Sequence, residues 1–137
     1  MHDRKYVLMS IKPVYAELIK SGRKTIELRR VAPKVKPGDV LVIYESSPIK
    51  RITAVCEIEA IIVTEPSTLW EISKTAAGLS INSFKQYFAG KNQAVGIQLR
   101  RVQKLNEPKE LSALSENMRA PQSYRYISHE QYRILTE

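Results

Sequence analysis

Scarcity narrows the chemistry of this 137-residue chain before any motif is considered. With Cys56 as its single cysteine it cannot close an internal disulfide. With His2 and His129 as its only histidines, it cannot assemble a Cys/His zinc site from one chain. No metal and no cofactor are therefore expected. The only aspartates are Asp3 and Asp39, and His2 stands at the polar N-terminus, so a Ser-His-Asp triad is poorly supplied. The longest apolar run, around Ile61, Ile62 and Val63, falls far short of the roughly 18 apolar residues that a membrane-spanning helix needs, which excludes a membrane partner of that kind. The polar start from Met1 to Lys5 leads into the short run Tyr6–Ile11, too brief for the core of a secretory signal, so a cytoplasmic location is expected. No repeats or low-complexity tracts appear.

What is present suits a folded domain. A hydrophobic share of 43% can build a core and excludes a disordered basic tail. The length fits one domain over residues 1–137, with a core of about 6–102 and a C-terminal extension over 103–137. The formal net charge of +8 is unevenly spread. Residues 1–51 hold 12 Lys and Arg against 5 acids, residues 52–91 hold 3 against 4, and residues 92–137 hold 7 against 5. A surplus concentrated in the first third reads as a positive patch, which attracts phosphate backbones or an acidic protein partner.

Hydrophobic periodicity orders the elements. Tyr6 to Ile11 reads as a buried strand. Pro13 opens a helix of about nine residues with Val14 and Leu18, and Tyr15 and Ile19, at i, i+4 spacing, closed by Gly22. Lys24 to Arg30 alternates, placing Ile26 and Leu28 on a core face and Thr25, Glu27 and Arg29 on the other. Pro33, Pro37 and Gly38 mark a loop before the strand Val40–Tyr44. Arg51 to Glu65, rich in β-branched residues, reads as a long strand bent near residues 57–60. Within it Cys56 is a packed apolar side chain rather than a nucleophile. Thr68 and Glu71 have capping-box spacing for a second helix running to about Ala77, and a third begins at Ser80 with Ile81, Phe84 and Phe88 on one face. Ala94 to Val102 is strand-like, Pro108 to Pro121 irregular and polar, and Ser128 to Gln131 has the capping spacing of a last short helix pinned by Tyr132 and Leu135. This order predicts an α+β fold, a small mixed β-barrel of about five to six strands with three to four short helices, rather than a doubly wound sheet.

Unusual chemistry concentrates in Gly22-Arg23-Lys24-Thr25-Ile26-Glu27-Leu28-Arg29, preceded by Ser10-Ile11-Lys12-Pro13 at the head of the first helix. The spacing Gly-x-Lys-x-x-Glu-x-Arg, met by Gly22, Lys24, Glu27 and Arg29, resembles the signature of the ASCH domain, a family of the PUA-like superfamily of small barrels. The turn Pro37-Gly38-Asp39 into the next strand is also similar, and the resemblance spans roughly residues 6–102. It implies a PUA-like barrel with a cleft beside the first helix, lined by the motif and suited to RNA or a nucleotide.

The residue types agree with such a ligand. Lys24 offers an ammonium to a phosphate, and Arg29 a planar fork of donors. Glu27, held ionised between two cations, can accept from the exocyclic amine of a base such as cytosine. Lys12, Arg23 and Arg30 widen the basic rim, with Lys34 and Lys36 beyond them. Tyr44, Tyr124 and Tyr126 are candidates to stack on bases, and Arg125 stands between the last two in Pro121–Tyr126, a segment able to close the cleft as a lid. The expected function is an RNA- or nucleotide-binding module, regulatory in transcription or translation. The alternative is a hydrolase. Some family members resemble amidohydrolases that act on a modified cytidine through a lysine, a threonine and a glutamate, for which Lys24, Thr25 and Glu27 are the candidates here. Nuclease activity has been associated with other members, which makes a ribonuclease the other form of this alternative, with Lys24 and Glu27 then acting as acid and base. Oligomeric state is not legible in the sequence.

Overall fold

The computed structural model describes residues 3–137, so Met1 and His2 lie outside the described residues. Strand β1 (Tyr6–Ile11) leads through Pro13 at the first helical turn into α1 (Pro13–Lys20), after which β2 (Ile26–Arg29), β3 (Val40–Glu45) and β4 (Arg51–Thr64) follow. Two helices, α2 (Pro66–Ser73) and α3 (Ile81–Tyr87), precede β5 (Ala94–Lys109). A 3-10 turn (Leu111–Ala113), β6 (Tyr124–Ile127) and α4 (His129–Thr136) complete the chain. The six strands form one strongly curved mixed sheet in the order β2-β5-β4-β3-β1-β6. All neighbours are antiparallel except β1 and β3, whose parallel pairing is permitted by the α1–β2 crossover between them.

Three apolar clusters fill the molecule. The inner face of the sheet and α1 enclose Val7, Met9, Ile19, Leu41, Ile43, Cys56, Ile58 and Ile97. The outer face of β1, β3 and β4 packs beneath the 3-10 turn and α4 through Leu8, Val42, Ile52, Leu111 and Leu135. The outer face of β2 and the start of β5 is covered by α2 and α3 through Ile26, Leu28, Leu69, Phe84 and Phe88. The alternation expected in the second strand is therefore real, with Ile26 and Leu28 outward beneath the helices and Glu27 and Arg29 turned the other way.

Several boundaries differ from the sequence expectation. Helix α2 starts at Pro66 behind Glu65, which makes no side-chain cap, so Thr68 and Glu71 form no capping box. Strand β5 runs to Lys109 rather than Val102, because β4 is long enough to pair with it from Ile52 to Thr64. Pro108 is accommodated at a register irregularity between Ile52 and Ala54, where its missing N–H is not needed. The segment 121–126 is not a lid: from Tyr124 onward it pairs with β1 as edge strand β6. The capping box at Ser128 is present in both halves, Gln131 N–H donating to Ser128 Oγ at 3.1 Å and Ser128 N–H to Gln131 Oε1 at 2.9 Å.

The sheet does not close through backbone pairing among the described residues; β2 stands at one end of its order and β6 at the other. Across that seam Arg29 provides the tie, its Nη2 donating to the Ser10 carbonyl at 2.9 Å and its Nη1 reaching Ser123 Oγ at 3.5 Å.

Candidate functional site

A cleft of about 400 Å³ opens beside this seam. Its floor and one wall come from the end of β1, the head of α1 and the inward-turning Glu27 and Arg29 of β2. Its other wall comes from Leu79 and α3. Lys12, Tyr15, Lys24, Glu27 and Arg29 line one side, and Ser83, Gln86 and Tyr87 the other.

Lys24 is the deepest charge of the cleft, only 2% exposed. It precedes β2, so it escapes the strand's alternation and points into the cleft together with Glu27. Its Nζ donates to the Ala77 carbonyl, lies 3.6 Å from Glu27 Oε1 and sits 5.2 Å from the centre of the Tyr15 ring. Burial pushes the Lys24 ammonium below the usual lysine range, and the neighbouring Glu27 carboxylate opposes that shift. The other oxygen of Glu27, Oε2, takes Arg29 Nη2 at 2.9 Å, so one carboxylate stands between two cations. Arg29 Nε is buried without a hydrogen-bond partner among the described residues, an N–H donor left for something else to satisfy. On the far wall Tyr87 donates to the Leu28 carbonyl at 3.2 Å, and burial raises its hydroxyl above the usual tyrosine value.

The arrangement brings together Lys12, Lys24, Glu27 and Arg29 of the expected set and separates the rest. Arg23 and Arg30 are exposed and do not line the cleft. Thr25 is exposed and lies outside it, because β2 begins only at Ile26. Its backbone N–H is committed to the Ala76 carbonyl, so a Lys24–Thr25–Glu27 catalytic group is not assembled. Tyr44 is buried in the outer core with Tyr6 and Leu8, which withdraws its ring from base stacking. Arg125 pairs with Leu8 on the face of β6 opposite Tyr124 and Tyr126, away from the cleft. Tyr124 packs against the inner core and meets Tyr126 edge-on at 5.9 Å, beyond the cleft lining.

Sequence reasoning missed Tyr15, Ser83, Gln86 and Tyr87. The signal available for the last three was the face of α3 beside its apolar stripe: Ser83 and Tyr87 are four residues apart, with Gln86 next to them. Cys56 is buried, its thiol pushed up to about 12 by burial and by the nearby Glu27 charge, which fits packing and not nucleophilic chemistry.

Comparison with known proteins agrees with the architecture. The ASCH domain pattern matches residues 9–119. The chain is 33% identical over 136 residues to a protein of Zymomonas mobilis named an ASCH domain-containing ribonuclease, spanning 97% of this chain and 91% of that one. The crystal structure of ASCH from Zymomonas mobilis superposes with a TM-score of 0.90 at 32% identity, covering 97% of this chain and 94% of that one. The N-terminal domain of Staphylothermus marinus McrB shares the fold at a TM-score of 0.62 and 12% identity, over 98% of this chain and 94% of that one.

Proposed function

The chain belongs to the ASCH domain family, and from that membership and the geometry of its cleft we propose that it binds single-stranded RNA, seating one nucleotide among Lys24, Glu27 and Arg29. One observation carries this reading. A carboxylate flanked by two cations lines a concave site of about 400 Å³ whose walls bear Tyr15 and Tyr87. Such a pocket fits an unstacked nucleotide and not a base held within a helix, since duplex RNA presents only its backbone and groove edges. The positive charge of Lys24 and Arg29 attracts phosphate or carbonyl oxygens, and Glu27 accepts an amino or imino N–H of the base. Ser83 and Gln86 supply further polar groups at the opposite wall. Binding of this kind suits a regulator of transcription or translation.

A second reading, ribonuclease action in the same cleft, is favoured by the name of the Zymomonas mobilis relative and by the lowered pKa of Lys24 beside Glu27. In that reaction the ribose 2′-hydroxyl attacks the adjacent phosphorus and gives its proton to the Glu27 carboxylate. The bond from phosphorus to the 5′-oxygen breaks, leaving a 2′,3′-cyclic phosphate, and the departing oxygen takes a proton from the Lys24 ammonium. Arg29 neutralises the charge that builds on the phosphorus oxygens.

Fluorescence anisotropy with labelled single-stranded RNA tests the binding. Arg29→Ala and Glu27→Gln should each weaken it by about tenfold or more, as expected when a charged hydrogen-bond partner is lost. Wild-type affinity in both variants would sink the reading. Gel analysis of the same RNA tests cleavage, which Lys24→Met and Glu27→Gln should abolish.

A further inference from the structure

Beyond the cleft the seam continues along β6 and the loop 30–39, and it changes character there. Tyr124 and Tyr126 share the inward-turned face of β6, their rings edge-on at 5.9 Å. Tyr124 packs against the inner core, whereas Tyr126 keeps 42% of its surface exposed. Its hydroxyl donates to the Lys34 carbonyl at 2.8 Å, so the ring is held by the loop rather than left to swing. The Lys5 ammonium lies 5.4 Å from the ring centre and also donates to the Lys34 carbonyl at 3.2 Å. Lys34 and Lys36 are exposed in the loop that holds the ring, as is Arg30 at its start. The Asp39 carboxylate is fully buried and accepts the backbone N–H groups of Lys5 and Lys36, both at 2.9 Å.

We infer that this stretch is a second subsite for the same strand of RNA: a base further along than the immediate neighbour of the cleft-bound nucleotide, out of reach of a dinucleotide, stacks on Tyr126 while its phosphates meet Lys5 and Lys34. The inference rests on the RNA-binding reading of the cleft. Three observations support it. Continuity comes first: β6 begins next to Ser123, which Arg29 touches, and Tyr126 lies about 10 Å further along at strand rise. The chemistry is that of single-strand recognition, an anchored exposed aromatic interleaved with cations along a backbone path. The third is charge: the residues that frame Tyr126 come from the N-terminal third, which holds 12 Lys and Arg against 5 acids. An edge strand with a flanking aromatic therefore has a use besides closing the fold.

Anisotropy with fluorescein-labelled, mixed-sequence single-stranded RNA of about 2, 4, 8 and 12 nucleotides tests it, those lengths bracketing the site size of a small single-strand binder. For wild type, affinity should rise with length. Tyr126→Ala should lower affinity for the two longer RNAs by about tenfold, the loss of one stacked base, and leave the dinucleotide unchanged. Tyr126→Phe, which keeps the ring, should restore the long-RNA affinity. Lys5→Gln with Lys34→Gln should reduce the salt slope for the long RNAs by roughly 1.4, about 0.7 per lost phosphate contact on a single strand. Arg29→Ala should weaken every length. The subsite is overturned if Tyr126→Ala binds the long RNAs like wild type, or if Tyr126→Phe loses as much as Tyr126→Ala. A dinucleotide that binds with no gain at greater length overturns the subsite alone. Failure of wild type to bind at any length overturns the cleft reading with it.

Discussion

Lys24 is buried and Lys20 half-buried, each beside a carboxylate, yet they titrate in opposite directions. At Lys24 burial outweighs Glu27 and the pKa falls below 10.5. At Lys20 burial also pulls downward, but Glu45, at 2.6 Å, together with Glu17, at 3.4 Å, outweighs it and the pKa rises above 10.5. Between the folded pKa of Lys24 and 10.5 the unfolded chain binds more protons at this site, so stability rises with pH there. The contribution of Lys20 is complete below 10.5 and is lost as pH rises through its higher folded pKa. Lys24→Met should therefore remove the stabilising alkaline slope just below 10.5, and Lys20→Met the destabilising slope above it. Urea unfolding at a series of alkaline pH values reads both. At Cys56 a thiol near 12 and closed to solvent should resist thiol reagents at neutral pH until the chain is unfolded. Cys56→Ser should cost about 1–3 kcal/mol in denaturant unfolding, since it buries a hydroxyl in an apolar cluster.

At the scale of elements, the ends of helices are where single side chains decide most. Ser128 accepts from Gln131 N–H, and the reciprocal half of the box is also made. Ser128→Ala should thus lower stability by about 1 kcal/mol, seen as a shifted urea midpoint with an unchanged slope. Its effect reaches the outer core because α4 contributes Leu135 to it. The turn between α2 and α3 is tied to the cleft more directly. Gly78 sits at a φ of +77°, and a Cβ there would come within 3.0 Å of Leu18 Cδ1 and 3.5 Å of Lys24 Cβ. Gly78→Ala is expected to cost at least about 1 kcal/mol through the left-handed backbone alone. By crowding Lys24 it should also weaken RNA binding, in contrast to Ser128→Ala, which leaves affinity unchanged in the same anisotropy measurement.

For the molecule as a whole, the open seam explains how a barrel of this size keeps a site. Backbone pairing would have closed it and filled the space. Arg29 bridges it instead, with donors committed to Glu27, Ser10 and Ser123. Affinity for single-stranded RNA should then fall steeply with salt, with a log–log slope near 0.7 per phosphate contacted. That slope should be smaller in Arg29→Ala, and a slope near zero in wild type would mean that the basic face does not meet phosphates.

The sequence by itself determined the order of elements from β1 to β5 and the last helix, the core faces, the single buried cysteine and the Lys24, Glu27 and Arg29 grouping. These follow from local periodicity, capping chemistry and spacing, which are written residue by residue. It also showed where the positive charge lies along the chain. Tertiary structure alone decided that Thr25 turns away while Lys24 turns in, because that depends on the residue at which β2 begins to pair. It buried Tyr44, sent Arg125 to the other face and put residues 124–126 of the expected 121–126 lid into an edge strand, since each outcome is set by a partner strand far away in sequence. It also supplied the far wall of the cleft from α3, a long-range packing of Phe84 and Phe88 under β2 that carries Ser83, Gln86 and Tyr87 into place. Local pattern specifies which side chains are buried; which of the polar ones meet one another is decided by how the sheet curves and where it fails to close.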